Sequence, residues 1–153
     1  MRSFSSLMIL WLLTAAPSSS AAAGGYAPGL GEIMAQTANR HTKLWFAGNA
    51  ENWELAAYEL DELEEGFDDV EKYHPKHKSL PVPLPKLIAG TMKAPLENLR
   101  AAVKTRDKDG FVRNYDQLTA GCNNCHLSTK FGFNTVIRPS HNPFPSQRFE
   151  PNP

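Results

Sequence analysis

Residues 50–73, AENWELAAYELDELEEGFDDVEKY, carry the clearest period in the chain. Trp53, Ala56, Leu60, Leu63, Phe67 and Val70 follow one another at alternating spacings of three and four, so they form one apolar seam on a helix over about residues 50–73. The other faces are acidic, since ten of the sixteen carboxylates lie between Glu51 and Glu71. They read as a solvated face, or as a surface that steers a basic partner. A helix apolar along one stripe must bury that stripe against something, and the neighbouring sequence supplies it.

Upstream, Leu30, Ile33, Met34, Thr37, His41, Leu44 and Trp45 share the inward side of a helix over about residues 30–47, with Gly48 as its stop and Asn49 as the cap of the next. Downstream, Pro81, Pro83 and Pro85 mark a stiff connection after His74-Pro75. Leu87, Ile88, Met92, Leu96, Leu99 and Val103 then line a third helix that Pro95 is expected to kink or interrupt. Asp107-Lys108-Asp109-Gly110 reads as a turn, and a last helix runs through Phe111, Tyr115, Leu118, Cys122 and Cys125 to about Lys130. Four amphipathic helices with short connections predict an all-α fold, an antiparallel four-helix bundle.

The two ends differ from this middle. Met1-Arg2, the apolar run Leu7–Leu13 and Ala21-Ala22-Ala23 read as a secretory signal peptide over 1–23, the run being too short to span a bilayer. The helical domain then covers 24–130, and 131–153 is a proline-rich tail. Without the leader, fifteen basic residues face sixteen acidic ones, a balance that gives no reason to expect nucleic acid. The tail has five prolines and no helical period, yet Phe131, Phe133, Val136, Ile137, Phe144 and Phe149 are too many apolar groups for a solvated terminus. Part of it is expected to fold back on the bundle.

The only two cysteines stand in Cys122-Asn123-Asn124-Cys125-His126, the spelling of a c-type haem attachment site. Two thiols three positions apart can each add across a vinyl group, and the adjacent imidazole becomes the proximal ligand of the iron. A thioredoxin-like dithiol would need a βαβ context, a structural zinc site a second pair of ligands, and a disulfide over so short a loop would be strained. Export agrees with the haem reading and implies a periplasmic address for a bacterial source.

With the motif late in the last helix of a bundle, and a basic residue, Lys130, four positions after His126, the stretch from about Leu30 to Lys130 resembles the four-helix c-type cytochromes, the cytochrome c-prime family and its low-spin relatives. The long tail departs from that pattern. The resemblance implies one covalent haem c near one end of the bundle, and a function set by the sixth iron position. Low-spin members place a methionine there and shuttle electrons; high-spin members leave it open and bind small gases such as nitric oxide.

Met34 is the candidate sixth ligand, because the start of helix one is expected to lie level with His126. His41, seven residues on and roughly 10 Å farther along the axis, competes less well and reads as a core imidazole or a partner for a haem propionate. Arg40 and Lys43 are further propionate candidates. His74 and His77 read as exposed loop residues, and His141 could approach a haem only if the tail folds back. No nucleophile and base pair, phosphate loop or paired acids stand out, so the expectation is a non-enzymatic electron carrier. Its partner would be a periplasmic redox protein, with no stable membrane insertion. A homodimer through Trp45 and Phe46 is an expectation of the resemblance, and a haem subunit of a larger complex is a third reading.

Overall fold

The computed structural model describes residues 26–77, 80 and 82–152. The expected leader, Lys78, Ser79, Pro81 and Pro153 lie outside the described residues. Four helices follow in order, α1 (Leu30–Asn49), α2 (Trp53–Tyr73), α3 (Leu84–Thr105) and α4 (Lys108–Ser128), and the described residues contain no strand. α1 packs chiefly on α2 and α3 on α4, α2 also meets α3, and α1 meets α4 less than any of these. Among the described residues no helix is long and apolar enough to cross a membrane.

The seams read from the sequence are the ones buried. Ala56, Leu60, Leu63, Phe67 and Val70 of α2 face Leu84, Ile88, Met92, Leu96, Leu99 and Val103 of α3, Ile33, Leu44 and Trp45 of α1, and Phe111, Tyr115 and Leu118 of α4 in one core. The acidic side of α2 is not wholly solvated. Glu59 is 1% exposed and accepts from Arg40 of α1 at 3.2 Å, while the same guanidinium reaches Glu62 at 2.6 Å. On the other flank Arg100 of α3 pairs with Asp61 and Glu64 at 2.7 and 2.9 Å. Two arginines thus tie α2 to both neighbours, and Glu65, Asp68 and Glu71 remain in water.

Several boundaries fall elsewhere than expected. Gly48 does not stop α1, which continues to Asn49; it is buried against α4, where a Cβ would overlap the Phe111 ring. The cap of α2 is Asn52, whose side chain accepts from the Leu55 N–H at 3.2 Å, rather than Asn49. α3 begins at Leu84 with Pro85 in its first turn, where a missing N–H costs nothing. It also runs through Pro95, which removes the donor for the Thr91 carbonyl; that oxygen lies against Gly121 of α4, 2.7 Å from where a Cβ would stand. Asp107 caps α4 by accepting from the Gly110 N–H at 2.9 Å, so Lys108–Gly110 is the first helical turn and not a loop.

Three helices end in a left-handed residue that is not glycine. Glu51, Arg106 and Lys130 have φ of 58°, 56° and 66°. After α4 the Lys130 N–H bonds to the Leu127 carbonyl and the Phe131 N–H to the His126 carbonyl, at 3.2 and 2.7 Å, the paired bonds of a Schellman motif. A side chain in this region costs roughly 1–2 kcal/mol, which the two bonds offset.

That reversal sends the tail back along the bundle over the thin seam between α1 and α4. Arg138 pairs with Asp116 of α4 and lies over the Trp45 ring of α1 at 4.6 Å. Phe144 receives Lys43, Phe149 is buried against Phe46, and the Glu150 carbonyl accepts from Asn52 at the far end. Phe133 and Ile137 do not join the core and stay exposed. Trp45 and Phe46, expected at a dimer contact, are covered by this chain's own tail.

Candidate functional site

At the end of the bundle formed by the start of α1, the end of α2, the start of α3 and the end of α4 is a cavity of about 610 Å3. Its walls are mostly apolar: Leu30, Met34 and Ala38 from α1, Phe67 and Val70 from α2, Leu84, Ile88 and Met92 from α3. Cys122, Cys125 and His126 line it from α4, and Phe131, Asn134 and Val136 close it from the tail. Met34, Cys122, Cys125 and His126, which lie up to 92 positions apart, therefore border one space.

The α4 residues are held by identifiable contacts. Gly121 lets α4 approach α3 closely at Thr91 and Met92. Both thiols are free; burial pushes Cys122 up to about 12, with Cys125 adding to the shift, so it is a neutral thiol at ordinary pH. His126 Nδ1 lies 2.6 Å from the Asn134 carbonyl. A carbonyl only accepts, so Nδ1 is the donor, and in the neutral ring Nε2 keeps its lone pair. Asn123, inside the cysteine motif, clamps the same tail segment twice: its Nδ2 donates to the Val136 carbonyl at 2.9 Å and its Oδ1 accepts from the Val136 N–H at 2.8 Å.

The other expected candidates separate. His41 borders the cavity but is a buried core imidazole, with Nε2 at 2.9 Å from Thr119 Oγ1 and Nδ1 at 2.9 Å from the Tyr115 hydroxyl. Burial lowers it to about 4, so it is neutral. Arg40 is engaged by Glu59 and Glu62 and Lys43 by Phe144, and neither lines the cavity. His141 is exposed beside Ser140 and does not line it either, although the tail folds back. His74 Nε2 donates to the Pro28 carbonyl at 2.8 Å, which ties the end of α2 to the entry of α1. His77, expected in water, borders the cavity instead, and its Nε2 is sealed from solvent. Comparison with known proteins returns no match: no protein family, no curated protein and no solved structure matches this chain.

Sequence reasoning missed Asn123, Asn134 and His77. The first two act on or through backbone carbonyls and N–H groups, which leave no pattern in side-chain types. For His77 there was a faint signal, a histidine in a connection stiffened by prolines on both sides. Among the described residues no group of three or more His, Cys, Asp or Glu converges as a metal-ion site.

Proposed function

We propose that this protein is a monohaem c-type cytochrome that carries electrons in the periplasm, similar to the low-spin relatives of the cytochrome c-prime family, in which His126 and Met34 would hold the iron. The observation that carries the reading is that Cys122, Cys125, His126 and Met34 border one apolar cavity in which His126 has only Nε2 left to donate. The volume falls in the range of cofactor sites, roughly 300–1,000 Å3. Haem, when bound, supplies a one-electron iron couple.

The chain's own residues do the rest. Cys122 and Cys125 would hold the haem, each by addition of its S–H across one vinyl group, sulfur to one carbon and hydrogen to the other, with nothing released. The Asn134 carbonyl fixes the tautomer and ring plane of His126 and makes it a better donor, as outer-shell carbonyls do for histidine ligands in general. Met34 would offer a thioether to the iron from α1, and such a ligand raises the reduction potential. The apolar walls from α2 and α3 exclude water, and a four-helix frame holds both donors in place through the change of charge.

The test is production of the full chain with the c-type maturation machinery. The mature protein should gain the mass of one haem, retained under denaturation, and a Cys122→Ala/Cys125→Ala variant should lose it. The ferrous wild type should bind carbon monoxide slowly or not at all, whereas Met34→Ala should bind at once and have a lower potential. Immediate binding by the wild type would replace electron carriage with the other reading, a five-coordinate protein that binds nitric oxide or a similar gas.

A further inference from the structure

His77 Nε2 is the one buried side-chain nitrogen or oxygen among the described residues that has no hydrogen-bond partner. Such an atom destabilises a fold unless something not yet bound satisfies it. The remaining described histidines leave no comparable gap in their bonding. His41 uses both ring nitrogens, His74 bonds Pro28, His141 sits exposed beside Ser140, and His126 keeps Nε2 for the role proposed above.

The position of His77 narrows what it awaits. It comes from the α2–α3 connection, which is held by the Leu84 N–H on the Pro75 carbonyl and the Leu80 N–H on the His77 carbonyl, at 3.2 and 3.1 Å. Its ring rests against Phe131 from the tail, centroids 6.1 Å apart. The residue is partly exposed and borders the cavity while Nε2 itself is sealed, so the ring stands in the cavity's margin and a turn about χ2 brings that nitrogen to the space. None of the described residues lining the cavity is a lysine or arginine. A haem attached through its vinyl edge to Cys122 and Cys125 carries two carboxylates on the opposite edge. Those anions need donors and lie best at a margin, near water.

We infer that His77 is a positioning residue that donates through Nε2–H to a carboxylate of the cofactor held in this cavity, an inference that rests on the cytochrome reading. The bond disperses negative charge near the iron and so favours the reduced state.

The experiment uses the full-length haem-loaded protein. His77→Phe should keep the covalent haem and the wild-type visible spectrum but shift the reduction potential downward, and His77→Gln, which keeps an N–H donor, should lie nearer the wild type. In 15N-histidine spectra of the diamagnetic ferrous wild type, His77 Nε2 should carry a proton protected from exchange; this decides the matter without the variants should His77→Phe not fold. Equal potentials in all three proteins, or an unprotonated Nε2, would overturn the inference while leaving the cytochrome reading intact. Loss of the low-spin spectrum in His77→Phe would overturn it in favour of His77 on the iron. A wild type without covalent haem would sink both.

Discussion

Replacing Asn123 by Ala removes the two bonds that clamp the tail at Val136, 2.9 and 2.8 Å long, without touching the core. Each such bond contributes roughly 0.5–1.5 kcal/mol net, so the clamp is worth about 1–3 kcal/mol locally. At about 1.4 kcal/mol per tenfold, opening of this segment becomes about 5- to 140-fold more frequent. Two features keep the effect local. Alanine is the better helix former by a few tenths of a kcal/mol, so α4 itself does not weaken. Farther along, Arg138 on Asp116 and Trp45, and Phe149 on Phe46, still hold the tail to the bundle. Residue-resolved amide exchange should show the Val136 N–H losing protection by that factor while Leu60, Leu99 and Leu118 keep theirs. The His126 Nδ1 proton, bonded to Asn134 two residues before Val136, should exchange faster in step. Asn123→Asp keeps the acceptor for the Val136 N–H and should fall between. If Val136 exchange were unchanged, or if protection fell equally across all four helices, the clamp would not be the element that seats the tail over His126.

Two further outcomes follow from the bundle. Gly48→Ala should destabilise by roughly 1–3 kcal/mol in urea melts, because its Cβ overlaps the Phe111 ring, which is fully buried and packed against Trp45 and Trp53. That is the reverse of the gain of about 1 kcal/mol that alanine brings elsewhere in a helix, and a neutral result would deny the close approach of α1 and α4 there. His41 is lowered by burial from 6.5 to about 4, so the unfolded chain binds more protons between those values. Its contribution is complete above about pH 6.5 and is lost as pH falls towards 4, up to about 3 kcal/mol. Urea midpoints measured against pH should fall less steeply in that window for His41→Gln than for the wild type; identical slopes would mean that the buried imidazole is not responsible.

The four helices were legible because burial on one side of a helix leaves a period of three and four in the side chains. Leu60, Leu63, Phe67 and Val70 could be assigned to a core without knowing what they touch. Gly48 shows where such reading stops. A glycine near a helix end reads as a terminator, but its role depends on Phe111, 63 positions away. The helix ends at Glu51, Arg106 and Lys130 carried no glycine signal, since long charged side chains stand in the left-handed position with the paired backbone bonds holding them there.

The site divides in the same way. Cys122, Cys125 and His126 could be grouped by adjacency alone, and Met34 could be placed on the same cavity from the rise of a helix and the order of an antiparallel bundle. Which nitrogen of His126 stays free, where the tail lies and why His77 faces inward were open until the chain was folded. Those features depend on the carbonyls of Asn134 and Val136 and on a nitrogen left without a partner. Side-chain chemistry and its spacing are local properties that a linear chain carries openly. A backbone carbonyl is the same in every residue, and only tertiary structure decides which one meets the imidazole.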